Sequence, residues 1–174
     1  NTASKGTTQS RVTLVLEAGT YNISNSIKIP PHATIKGAGR NKTFIVQTGN
    51  YPIFTTVNSN STPGNYADDS TSTSLTQAQD ITLEGMTLQH NLGSFTGIEL
   101  VSCKNSVFKN LQIKGPWTSG TGIVAASVGV SMDNLSTVVG CFNNLFDDVK
   151  IDGFAHGVKS DDDVYENTFT NCLF

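Results

Sequence analysis

The stretch KSDDDVYEN places three carboxyl groups, Asp161, Asp162 and Asp163, in consecutive positions after the alternating run HGVKS. Hydrolysis of a glycosidic bond needs two such groups about 5 to 9.5 Å apart, one as acid and the other as base or nucleophile. Asp161 and Asp163 are therefore candidates, and Glu99 in TGIEL is a third. A polar turn after Ser160 accounts for the same acidic run, because such runs are commonly solvated. Trp117, the single tryptophan, lies in the Gly- and Pro-bounded stretch GPWTSGTG. There it either stacks on a sugar ring or packs against the chain or another subunit. Cys103, Cys141 and Cys172 form no CxxC or Cys/His spacing and read as small buried hydrophobes rather than zinc ligands. No metal and no cofactor are expected.

The composition narrows the classes that can carry these residues. With 174 residues, 37% hydrophobic and 14% charged, the chain fits one domain over residues 1–174. A net charge of −3 with scattered Lys and Arg gives no electrostatic reason to bind nucleic acid or an anionic membrane. No apolar run reaches the roughly 18 residues of a membrane span, so membrane insertion is not expected.

The elements that must hold the candidates are written as a repeat. AQDITLEGMTL from Ala78, CKNSVFKNLQI from Cys103, CFNNLFDDVKI from Cys141 and VYENTFTNCLF from Val164 superpose without gaps, at intervals of 25, 38 and 23 residues. One column holds Ala78, Cys103, Cys141 and Val164, and another Leu83, Phe108, Phe146 and Phe169. Gly85, Asn110, Asp148 and Asn171 share a third, and these types tolerate a left-handed backbone or bond their own main chain in a turn. Apolar residues then alternate, as Leu111 with Ile113 and Val149 with Ile151, the period of a strand with one buried face. TGIEL, TGIVA and HGVKS form a second phrase, aligning Gly97, Gly122 and Gly157. Short strands, frequent turns and a repeat of 23–25 residues predict an all-β fold: a right-handed, single-stranded parallel β-helix whose coils rise by about 4.8 Å. The Leu83–Phe108–Phe146–Phe169 column becomes an interior stack, and the Gly85–Asn110–Asp148–Asn171 column a ladder of turns. Glu99 and Lys159 then point outward with Val124 between them, about 9.6 Å apart.

Residues 11–57 read as looser opening coils: strands at 12–16, up to Ile29, at 33–36 and at 43–47, with turns at Gly19, at the Pro30–Pro31 corner and at Gly37 and Gly39. Residues 58–77, NSNSTPGNYADDSTSTSLTQ, read as a polar loop insertion at the surface, either flexible or contacting a receptor. Regular coils fill 78–174, interrupted by an insertion at 126–142 that projects as a loop or as strands on the lateral face.

AGTYNIS, SIKIPPHATIKGAG and TFIV resemble the opening coil of the pectate-lyase-like right-handed β-helices, a resemblance that covers 11–47 and extends through the coil repeat to 78–174. Glu17 stands where many relatives have proline. The Asn-rich turns and short coils look most like the spike and fibre proteins of tailed bacteriophages. That resemblance implies a trimeric, receptor-binding virion protein on a phage tail, extracellular, whose partners are its own copies or other virion proteins and a host surface polysaccharide. It implies as an alternative a polysaccharide depolymerase acting on capsule or lipopolysaccharide, with Asp161, Asp163 or Glu99 as carboxylates and Trp117 as sugar platform. Pectin-cleaving relatives carry further Asp, His-Gly and Arg/Lys motifs on neighbouring coils, and only HGVKS is similar to any of them. A secreted bacterial carbohydrate-binding solenoid is a third possibility. The chain opens without Met and stops within a strand, so a larger protein or a covering subunit is expected.

Overall fold

Strands form where Val, Ile, Thr and Phe alternate with polar residues, and they bend or end where Gly, Asn or Asp takes the left-handed backbone. The computed structural model describes residues 11–61, 72–91, 96–117, 122–133 and 139–174. Fifteen strands are described: β1 (Val12–Leu16), β2 (Gly19–Ile23), β3 (Ile27–Ile29), β4 (Ala33–Gly37), β5 (Thr43–Gln47), β6 (Phe54–Thr56), β7 (Thr82–His90), β8 (Thr96–Val101), β9 (Val107–Lys114), β10 (Val128–Asp133), β11 (Cys141–Phe142), β12 (Leu145–Asp152), β13 (His156–Ser160), β14 (Val164–Tyr165) and β15 (Thr168–Thr170). All their pairings are parallel, each strand bonding its counterpart one coil away: the arrangement is a parallel β-helix.

The first sheet runs β1-β4-β7-β9-β12-β15, with β2 and β5 joined to the second half of β7. Its bend follows the Gly85, Asn110, Asp148 and Asn171 column, whose φ angles are 72°, 51°, 53° and 54°. A second left-handed ladder, Asp80, Asn105, Asn143 and Glu166 with φ between 50° and 55°, turns the chain into this sheet. The second sheet runs β13-β10-β8-β6-β3, and β11 pairs with β14 at the remaining corner. Leu83, Phe108, Phe146 and Phe169 are register partners, the first three buried and Phe169 half-buried.

The second phrase of the repeat falls elsewhere than TGIVA. β10 pairs Val128 with Thr96 and with His156, so the glycine column is Gly97, Gly129 and Gly157, and VGVSM supplies the strand. The reason is interior crowding: a Cβ on Gly129 would lie 2.3 Å from Ile151 Cγ2 and 2.6 Å from the Gly157 carbonyl, whereas one on Gly122 meets nothing within 4 Å. Residues 128–133, expected within the insertion, are thus part of the solenoid wall, and Ser131 rather than Val124 stands between Glu99 and Lys159. Gly19 opens β2 instead of forming a turn.

The stretch at 58–77 is only partly at the surface where it is described: Asn60, Thr73, Ser74 and Leu75 are exposed. Asn58, Ser61, Ser72 and Gln77 are buried, with Asn58 Nδ2 donating to Ser72 Oγ at 3.2 Å and Gln77 Nε2 to the Ser102 carbonyl at 3.1 Å. Polar side chains become buried here because they satisfy backbone groups that would otherwise be stranded. Residues 62–71 of that stretch, and 134–138 of the later one, lie outside the described residues.

Candidate functional site

The outward face of the first sheet is a charged ladder at its near edge. Lys36 Nζ and Lys109 Nζ flank Glu84 at 3.6 and 3.5 Å, and Asp147 follows in register with Lys109. Asn171 Nδ2 and Thr170 Oγ1 donate to Asp147 Oδ1 at 3.0 and 2.9 Å, holding its carboxyl below the usual carboxylate range. Alternating charge suits neighbouring strands, since like charges opposite each other repel.

Farther along β9 and β12 the same face becomes concave. Gly115 and Gly153 directly follow the two strands and stack so closely that a Cβ on Gly115 would lie 2.2 Å from the Gly153 carbonyl. Gly153 has φ +78°, and its carbonyl accepts from the Trp117 amide at 3.2 Å, which fixes the tryptophan above the end of β12. The result is an open cleft of about 540 Å³ lined by Gln112, Lys114, Trp117, Ile123, Lys150, Asp152, Gly153 and Phe154. Trp117 is 48% exposed at its wall. Asp152 Oδ2 accepts from Gln112 Nε2 at 3.2 Å and lies 3.6 Å from Lys150 Nζ, so the carboxylate is oriented before any ligand arrives. An aromatic face beside prearranged amide and carboxylate groups can stack one side of a sugar ring and bond its hydroxyls. Trp117 is a candidate from the sequence, whereas Gln112, Lys114, Lys150 and Asp152 come to light only here, although Gln112 with Lys150 and Lys114 with Asp152 share columns of the repeat.

The acidic candidates lie on the other wall. Glu99 belongs to the outward row Lys28, Thr55, Glu99, Ser131 and Lys159 of the second sheet, and its Oε2 accepts from Thr55 Oγ1 at 3.0 Å. Ser131 donates to Asp133 Oδ2 at 2.9 Å, which places a second carboxylate on this face that the misaligned phrase had hidden. Asp161 continues the register beside Asp133, its amide bonded to the Met132 carbonyl at 3.0 Å. Asp163 turns the corner with φ 55°, its carbonyl accepting from Cys141 N. The fold therefore brings Glu99 and Asp133 to the second sheet with Asp161 at its end, and Trp117 to the turn that follows β9 of the first. Among the described residues, no group of three or more His, Cys, Asp or Glu is placed to hold a metal ion.

Cys103 and Cys141 are buried, and Cys172 is half-buried. Burial, aided by the charge of Asp133, pushes the Cys141 thiol up to about 11 against hydrogen bonds with the Cys103 backbone and Asn144. Its folded value lies above the ordinary 9.0, so this contribution is complete below pH 9 and lost as pH rises through 11. We expect the urea midpoint to fall over that interval by the equivalent of roughly 2–3 kcal/mol. In native protein, iodoacetamide should label Cys172 well before the other two; equal labelling rates would refute the assignment.

The profile of the rhamnogalacturonase A/epimerase, pectate lyase-like family matches residues 1–174. Among solved structures, the fold matches ORF18 of Geobacillus virus E2 with a TM-score of 0.58 and 16% identity, over 98% of this chain and 36% of that one. It also matches a Parabacteroides merdae protein proposed to be a glycosyl hydrolase, with a TM-score of 0.48 and 12% identity over 95% and 83% of the two chains. No curated protein matches. The chain thus spans about a third of the length of the Geobacillus virus protein.

Proposed function

The chain belongs to the rhamnogalacturonase A/epimerase, pectate lyase-like family, and from that premise we propose that it is a receptor-contacting β-helix of a phage tail spike or fibre. It holds a host surface glycan against the first sheet without cleaving it, and it works outside the cell as a homotrimer or beside other virion proteins. One observation carries the reading: half-exposed Trp117 stands over a cleft in which Gln112 and Asp152 are already bonded to each other. Stacking supplies affinity and the two polar side chains supply orientation. Among the described lining residues Asp152 is the one carboxylate, so the cleft binds with one acid where hydrolysis requires two. The match in fold to a Geobacillus virus protein supports the virion setting.

The test is binding of capsule and lipopolysaccharide oligosaccharides from the host, measured by calorimetry on wild type and on Trp117→Ala. Loss of the platform is expected to weaken binding about tenfold or more, as for other central aromatic contacts. Unchanged affinity in a folded variant would remove the cleft from the function. The same samples are assayed for reducing ends. Release that disappears in Asp133→Asn or Glu99→Gln would replace this reading with a depolymerase working on the second sheet, where those carboxylates share a face.

A further inference from the structure

The half of the first sheet before its bend carries a charge pattern that is its own complement, and from it we infer a docking surface for a second copy of this chain turned end for end. Lys36, Glu84, Lys109 and Asp147 are register partners on β4, β7, β9 and β12 and form an outward row of alternating charge, about 4.8 Å apart. Consider two such sheets face to face, related by a two-fold axis along the strand direction and midway between β7 and β9. Lys36 then meets Asp147 of the second copy, and Glu84 meets its Lys109. Every charge of the row finds its opposite, and an isologous contact makes each pair twice. The other two-fold in that plane, along the solenoid axis, faces Lys36 with Lys36 and Asp147 with Asp147, and like charges so opposed repel. The ends of the row gain most, because Glu84 is shared by two lysines and Asp147 is bonded by the neutral Asn171 and Thr170. Beside the charges, Thr34, Thr82, Val107 and Leu145 make an uncharged, partly exposed row that the same rotation lays on itself. The chain as a whole has the same polarity: residues 11–57 carry five Lys or Arg and one carboxylate, and residues 139–174 carry two against seven. Reversed copies therefore bring basic coils beside acidic ones, which guides encounter as well as register. The face measures roughly 20 by 15 Å on each copy, small for a stable interface, so the pair is weak and salt-sensitive. The inference is separate from the glycan reading, whose cleft lies past the bend and stays open.

Within one chain Lys36 and Asp147 stand three coils apart, about 14 Å, so a zero-length carbodiimide cross-link between them forms only between copies. The purified 174-residue chain is followed by sedimentation equilibrium at about 0.01 M and about 1 M salt, and its cross-linked dimer is mapped by peptide mass spectrometry. A dimer with a Kd below about 1 mM is expected at low salt, dissociating at high salt and joined through Lys36 and Asp147. Lys36→Glu sets two carboxylates together at both ends of the contact and is expected to raise the Kd about tenfold. Adding Asp147→Lys exchanges the two charges and is expected to restore it. Such rescue separates pairing from damage to the fold, which a second substitution would only deepen. A monomer at both salts, a trimer, or a dimer that the exchanged variant fails to restore would overturn the inference. None of these outcomes touches glycan binding, which the Trp117→Ala calorimetry decides.

Discussion

Phe146→Ala is expected to lower the free energy of unfolding by about 3–5 kcal/mol, the range for truncating a buried aromatic ring. Phe146 is 1% exposed and stands between Phe108, at a centroid distance of 4.8 Å, and Phe169, at 4.6 Å, with interplanar angles of 17° and 9°. Removing the middle ring breaks both stacks at once. The void has little chance to close, because the ladder bonds of β9, β12 and β15 fix the spacing of the coils. Phe169→Ala offers the comparison: that ring is half-buried and meets Phe174 only edge-on at 5.7 Å, so a smaller loss is expected. Denaturant unfolding followed by circular dichroism measures both. If the Phe146 variant loses no more than the Phe169 variant, the column is a neighbourhood of side chains and not a packed spine.

This column was legible because a solenoid repeats its side-chain types at fixed offsets, so an interior shelf betrays itself as soon as two copies are aligned. The turn ladder at Gly85, Asn110, Asp148 and Asn171 was legible for a sharper reason: few residue types accept positive φ. Gly129 was not. TGIVA and VGVSM both offer a glycine before a β-branched residue, and only the approach of Ile151 across the interior decides between them. A contact between coils leaves no local mark in sequence. That one misreading also hid Asp133, whose place on the wall depends on the register of β10. The cleft residues were invisible on different grounds. Gln112, Lys114, Lys150 and Asp152 alternate outward on their strands like any solvated face, and they become the floor of a cleft only because the Gly115–Gly153 stack ties Trp117 above them.

Asn144→Leu tests the other device that holds the coils in register, and its expected loss is about 3–5 kcal/mol with the number and branching of side-chain heavy atoms unchanged. Asn144 is 1% exposed. Its Oδ1 accepts from the Ser106 amide at 3.0 Å, and its Nδ2 donates to the Cys103 carbonyl and to Asn167 Oδ1, both at 2.9 Å. The neighbours repeat the pattern: Ser106 Oγ accepts from the Ile81 amide at 3.0 Å, and Asn167 Oδ1 from the Asn144 amide at 3.0 Å. Each side chain in this column thus serves a backbone N–H one coil away, beside the left-handed residues Asn105 and Asn143. Leucine would strand the Ser106 amide in the interior, at about 1–3 kcal/mol, and forgo two further bonds worth about 1 kcal/mol each. Because leucine fills the space, the loss reports hydrogen bonds and not a cavity. Asn144→Ser separates the two explanations: Ser106 already shows that a hydroxyl in this column can accept the amide above it, so serine is expected to retain that bond and lose about 1–2 kcal/mol despite its smaller volume. Denaturation midpoints that rank leucine at or above serine would mean that packing, rather than the amide ladder, sets the register of the corner.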